Sequence, residues 1–201
     1  RPSYAAPAGT VDGAAGTPAG ADRCVSPVGG ALTRASCGTA TISVTVEAAA
    51  IAADADTISG INGASGGNDV LNVLDGDTLN GVAVTLAQVD ISVTSPATPA
   101  SAGAPVPVLD VATGLISVPA GTPAGSYSID YEICETLNPT NCASNTATIV
   151  VDAAPLVAAN DSASGINGLT GATAVVNAFT ADTVNGVAAS PSNAVLSLAP
   201  G

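Results

Sequence analysis

Residues 126–134 read SYSIDYEIC, and every second side chain is bulky and apolar or aromatic. Tyr127, Ile129, Tyr131 and Ile133 alternate with polar neighbours. A period of two places them on one face of an extended strand, turned toward a core. ATISVTV, ending at Val46, does the same with Ile42, Val44 and Val46. VLNVL at Val70–Leu74 reads as a buried strand, and AVTLAQVDISV at Ala83–Val93 as one long strand or two short ones. Between these runs lie the turn formers INGASGGND, DGDTLNG, DVATG and AGTPAG, rich in residues that accept positive φ or cap their own backbone. No segment sustains a 3.6-residue apolar period. The pattern predicts an all-β chain of Ig-like sandwich type, with about seven short strands per module.

The five letters SGING occur at Ser59–Gly63 and again at Ser164–Gly168, an offset of 105 residues. At that offset Val46–Ala83 aligns without a gap to Val151–Ala188, with 19 of 38 positions identical. GTPAG at Gly16 meets GTPAG at Gly121, and Cys37 meets Cys142. A fixed period of this size predicts tandem domains rather than a short solenoid repeat. On this reading residues 46–150 are one complete module, residues 1–45 the second half of another, and residues 151–201 the first half of a third. Each half is expected to leave strand edges and an apolar face uncovered, and to be completed by the complementary half of a neighbour. Both SGING copies fall between predicted strands, so a folding signal is the expected reading of the motif.

Composition removes several function classes. Sixteen acids face three bases, giving a net charge of −13. The bases are Arg1, Arg23 and Arg34, so everything after Arg34 would repel a phosphate backbone, and nucleic acid is not an expected partner. The chain has no His, Lys, Met or Trp. Ser and Thr therefore lack the partner that activates a nucleophile, and no enzyme is expected. No run of 18 apolar residues predicts a membrane span. RPSYAAPAG at the N-terminus lacks a signal pattern, so secretion implies a leader removed or lying outside residues 1–201.

The four cysteines, Cys24, Cys37, Cys134 and Cys142, form two close pairs and suit disulfides in an oxidising compartment. Each pair is expected to staple a hairpin locally, stabilising it by about 2.5–3 kcal/mol. A lone pair of thiols without His supplies only half a zinc shell.

The run VLDVATGLISVPAGTPAGSYSIDYEICETLNPTNCASNTATIVV, with NDVLNVLDGDTLNGVAVTL before it, resembles the tandem Ig-like or cadherin-like repeats of giant bacterial surface proteins and adhesins, familiar from Bacteroidota. The resemblance implies an extracellular, non-catalytic module that builds stalks, fibres or adhesive arrays. It also draws attention to Asp54, Asp56, Asp75 and Asp77, because cadherin-like relatives place calcium between domains. Calcium needs six to eight oxygens, and the repeat keeps only Asp161 and Asp182, with Ala159 and Thr180 at the other two positions. The alternative is that these carboxylates close Asx-type turns. In each copy Asp is followed by Ser or Thr and an aliphatic residue, which resembles the O-glycosylation signal of exported Bacteroidota proteins. The acceptors would be Thr57, Thr78, Ser162 and Thr183. Asn160 begins an N-glycosylation sequon, NDS.

Three functions are in play at this point. The leading expectation is a structural segment of an extracellular filament at a bacterial surface, pairing with copies of itself head to tail. A binding module for a sugar or a surface protein would need exposed aromatics, and only Tyr4, Tyr127, Tyr131 and Phe179 could supply them. The third is an accessory domain of a secreted enzyme.

Overall fold

The computed structural model describes residues 20–29 and 37–197, and every regular element among them is a β-strand. Strands β1 (Gly20–Gly29) and β2 (Cys37–Val46) form an antiparallel hairpin. The segment from residue 51 to residue 152 then folds as a sandwich of two sheets. It contributes, in chain order, β3 (Ile51–Ala52), β4 (Asp56–Asn62), β5 (Gly67–Asn72), β6 (Thr78–Leu79), β7 (Val82–Ala83), β8 (Val89–Ser95), β9 (Val108–Asp110), β10 (Leu115–Val118), β11 (Gly125–Glu135) and β12 (Cys142–Asp152). One sheet runs β4-β12-β11-β8, the other β5-β10-β9, and β3-β6-β7 make a small third sheet.

The alternation in β11 sets the core. Tyr127, Ile129, Tyr131 and Ile133 are buried together with Ala147, Ile149 and Val151 of β12. From the opposing side come Ile116 and Val118 of β10, Leu109 of β9, and Val73 and Leu74 just past β5. Few aromatics are available, so small aliphatic side chains fill the space between the sheets. The stretch expected as one strand or two over Ala83–Val93 is two, β7 and β8. A tight turn separates them, in which the Thr85 amide and hydroxyl both donate to Gln88 Oε1, at 3.1 and 2.9 Å.

The pairing of β4 with β12 is parallel, while β12–β11 and β11–β8 are antiparallel. Asn141 Nδ2 donates to the Ala49 carbonyl and Asn145 Nδ2 to that of Ala53, each at 2.7 Å. The incoming chain therefore runs beside the Cys142 end of β12, and the outgoing chain leaves from its Asp152 end.

After the sandwich, β13 (Leu156–Val157), β14 (Thr183–Val184) and β15 (Val187–Ala188) form a second small sheet. Each begins and ends 105 residues after β3, β6 and β7, and Leu156 faces Val184 as Ile51 faces Leu79. The β1–β2 register likewise matches that of β11–β12: Gly20 opposes Val46 as Gly125 opposes Val151. Among the elements that do not recur are β4 and β5. Their counterparts, residues 161–167 and 172–177, hold no strand. The small sheets close on their own hydrogen bonds, whereas β4 and β5 form only where β12 and β10 offer unpaired backbone to bond.

Candidate functional site

The acidic corner lies where β3 leads into β4 and where β5 leads into β6. Asp54 and Asp75 are exposed, while Asp56 and Asp77 are buried, Asp77 completely. The Tyr131 hydroxyl, also fully buried, sits 2.9 Å from Asp56 Oδ2 and 3.0 Å from the Asp54 carbonyl oxygen. One hydroxyl proton faces two acceptors. The hydroxyl donates toward both, its single proton shared between the Asp56 carboxylate and the Asp54 carbonyl. Burial pushes the Asp56 carboxyl above the ordinary range, the Tyr131 hydrogen bond pulls it partly back, and Asp75 and Asp54 raise it further. Burial and the acceptor Asp56 push the Tyr131 hydroxyl upward in turn.

Asp77 Oδ1 accepts the Asp54 amide at 2.7 Å, and its Oδ2 is buried without a partner. Burial pushes this carboxyl from 3.8 to about 6, against the pull of that amide, and the neighbouring Asp56, Asp54 and Asp75 add to the rise. The same bond recurs without the acids: Asp182 Oδ1 accepts the Ala159 amide, at 2.6 Å, and no carboxylate stands at positions 159 or 180. The feature common to both copies is a carboxylate that ties the segment after β3, or after β13, to the following hairpin.

Asp54, Asp56, Asp75 and Asp77 do not converge as calcium ligands would. Among the described residues the one group of three potential ligands with atoms within 4.8 Å of one another is Glu132, Cys134 and Cys142. Its thiols are already joined to each other in a disulfide. Cys134 and Cys142 are direct cross-strand partners at the turn end of the β11–β12 hairpin. In β1–β2 the register sets Cys37 opposite Gly29 and Cys24 opposite Ile42. The side chains of Cys24 and Cys37 lie outside the described residues.

The hydroxyl acceptors divide by accessibility. Thr57 on β4, Ser162 and Asn160 are exposed, whereas Thr78 on β6 and Thr183 on β14 are half-buried in their small sheets. Tyr127 and Tyr131 are buried and Phe179 is half-buried, so none of the three offers an exposed aromatic face. Tyr4 lies outside the described residues.

An uncovered apolar surface in residues 156–196 was less legible beforehand. A cleft of about 230 Å³ there is lined by Leu156, Phe179, Val184, Ala189, Ala194 and Leu196, among others. Their counterparts 105 residues earlier are Ile51, Leu74, Leu79, Val84, Val89 and Ile91, and all six belong to the core of the sandwich or pack against it. Around the cleft, Ile166, Val175 and Val176 are exposed where Ile61, Val70 and Leu71 pack inward.

Gly63 and Gly168 make the same contrast. A Cβ on Gly63 would fall on the Thr122 carbonyl oxygen and lie 2.8 Å from Val151 Cγ1. Gly63 also donates to the Asp152 carbonyl at 2.9 Å and accepts from the Gly121 amide at 2.8 Å. Only glycine permits that approach. Gly168, in the second SGING, has nothing within 4 Å of its would-be Cβ.

No family model and no curated protein matches the chain. Among solved structures it is similar to a protocadherin gammaB7 EC3-6 cis-dimer, with 12% identity over 74% of this chain and 36% of that one, at a TM-score of 0.39. The human desmocollin-1 ectodomain matches with 13% identity over 65% of this chain and 27% of that one, at a TM-score of 0.37. The protocadherin gammaB4 extracellular domain matches with 20% identity over 62% and 20%, at 0.35. The chain thus spans about a third or less of the cadherin ectodomains to which it is similar.

Proposed function

We propose that this chain is a non-enzymatic structural segment of an extracellular fibre or stalk at a bacterial surface, built from β-sandwich modules joined head to tail. The observation that carries this reading is the cleft over residues 156–196, whose six named lining residues are the counterparts of six core residues of the sandwich. The sandwich itself provides the template for what fills it. There β12 lies parallel to β4, with Thr148 beside Thr57 and Ile149 beside Ile58. One period earlier, β2 carries Ser43 and Val44 at the positions of Thr148 and Ile149, and its Ile42, Val44 and Val46 stand where Ala147, Ile149 and Val151 are buried.

In the assembly, β2 of one copy pairs with residues 161–167 of the copy before it. A sheet edge and an apolar face are then satisfied together. The shared register gives β1 Asp22, Cys24, Ser26 and Val28 where β11 has Tyr127, Ile129, Tyr131 and Ile133, so the apolar contribution comes chiefly from β2. A contact of this kind is heterologous, and with a rotation that does not close a ring it propagates as an open filament. The disulfide fits an oxidising compartment outside the cell, and exposed Thr57 and Ser162 would be the acceptors for any attached sugar.

Cysteine cross-linking tests the pairing. Ser43→Cys in one preparation and Ser162→Cys in another should form a disulfide between copies after mixing, the positions being counterparts of the paired Thr148 and Thr57. Electron micrographs of native material, with the denatured chain mass, report whether the modules belong to separate chains or one long one. A doubly substituted chain that closes only on itself, as a compact monomer, would overturn the proposal.

A further inference from the structure

Hydrogen bonds cross from the sandwich to the small sheet that follows it through three side chains. Asn62 Nδ2 donates to Asn185 Oδ1 at 2.8 Å, and Asn185 Nδ2 donates to Ser65 Oγ at 3.2 Å. Asn62, the last residue of β4, and Ser65 belong to the turn that follows that strand, where Asn62 Oδ1 also accepts the Ala64 amide at 3.0 Å. Asn185 is the tip of the β14–β15 hairpin, at φ 52°, followed by Gly186.

Every part of this junction occurs a second time in the chain. Asn167 and Thr170 are the counterparts of Asn62 and Ser65, with the hydroxyl retained, and Asn167 Oδ1 accepts the Leu169 amide at 2.9 Å. Asn80 and Gly81 are the counterparts of Asn185 and Gly186, with Asn80 at φ 53°. The backbone is therefore set in the same way at both sites. The difference is burial: Asn62 and Asn185, which meet, are half-buried, whereas Asn80, Asn167 and Thr170 are exposed. The chain holds one made junction and two unmade halves of opposite kind.

We infer that the Asn167–Thr170 turn of one copy seats the Asn80–Gly81 hairpin tip of a second copy, repeating the contact that Asn62 and Ser65 make with Asn185. The occupant is a second copy because its Asn80 tip has the backbone of the tip that fills the equivalent turn. Asn80 Oδ1 already accepts the Ala50 amide at 3.0 Å, an interaction that Pro155 cannot offer to Asn185. An amide oxygen has two lone pairs, so Asn80 can still accept from Asn167, and its amide group remains free to donate to Thr170. The polarity is fixed, since a turn cannot seat a turn nor a tip a tip. This inference rests on the head-to-tail reading and adds to it the contact that sets the angle between successive modules.

Two conservative variants of the full chain test it. Asn80→Gly keeps the positive φ and removes the amide group. Asn167→Asp keeps the capping oxygen and removes the donor. Melting temperature of the monomer should be little changed by Asn167→Asp and lowered only slightly by Asn80→Gly, which also loses the exposed bond to the Ala50 amide. Sedimentation of parent, single and paired variants should show each single change weakening self-association about tenfold, as loss of one or two neutral hydrogen bonds does. The paired variant should be no weaker than the weaker single, because both remove one contact. Independent, multiplying losses, or unchanged association of the variants while Ser43→Cys and Ser162→Cys still cross-link between copies, would overturn the junction and leave the fibre reading intact. A parent chain that neither associates nor cross-links would overturn both.

Discussion

Replacing Asp77 with Asn removes a charge from the interior while keeping the oxygen that holds the Asp54 amide at 2.7 Å. The carboxyl is fully buried and raised from 3.8 to about 6. Its folded-state value exceeds its unfolded value, so the folded state binds the proton more tightly. The resulting stability is fully present below about 3.8 and is lost as pH rises through about 6. At 1.36 kcal/mol per tenfold change, the span between the two values corresponds to about 3 kcal/mol, of which about 2–3 kcal/mol falls between pH 4 and 7.5. Asn carries no such dependence. It does bury N–H groups where Oδ2 now lies without a partner, at a cost of about 1 kcal/mol. The variant should therefore be about 1 kcal/mol less stable than the parent near pH 4 and about 2 kcal/mol more stable near pH 7.5. Urea unfolding followed by far-UV circular dichroism across that range measures both curves. Parallel curves, with a constant offset at every pH, would refute the assignment of the proton to Asp77.

Three further expectations use the same unfolding assay. Gly63→Ala should cost at least about 2 kcal/mol, because the new methyl meets the Thr122 carbonyl and Val151; Gly168→Ala should leave the isolated chain unchanged and weaken only self-association. Joint replacement of Cys134 and Cys142 by Ser, across a separation of 8 residues, should lose about 2.5 kcal/mol, with no loss refuting a stabilising staple. Tyr131→Phe should cost about 1–3 kcal/mol, since it strips the hydroxyl from buried Asp56 and the Asp54 carbonyl; a neutral result would mean that water replaces it.

The strand character of β11 was open to reading because a period of two is a local property of Tyr127, Ile129, Tyr131 and Ile133. The turn after Asn62 was open to reading only in part: Asn62 and Asn167 cap their own backbones within three residues, but Ser59–Asn62 of the first SGING are the end of β4 and not a turn between strands. The parallel course of β4 beside β12 was not open to reading, because alternation says which face is buried and nothing about the direction of the partner. Nor was the reason for Gly63, which depends on residues 59 and 88 positions further along. The acidic corner left two readings open for a related cause. Four nearby Asp letters suggest a shared cation, yet Asp56 and Asp77 turn inward to separate hydrogen-bond partners. The signal that favoured turns over ligands was present in the repeat, where Asp182 persists while Ala159 and Thr180 replace its acidic neighbours.

Because the incoming chain runs beside the Cys142 end of β12 and the outgoing chain leaves from the Asp152 end, a pull on the two ends slides β4 and β12 along each other. The backbone bonds between them, from Asp56 beside Ala147 to Asn62 beside Asp152, then share the load and must fail together. A hairpin pulled open from its mouth loses its bonds one at a time, at far smaller force. The Cys134–Cys142 bridge closes the β11–β12 hairpin at its turn, so little hidden length is available there to pay out. Tension along the axis therefore meets this module in its stiff direction, a property of strand direction alone that owes nothing to the size of the core.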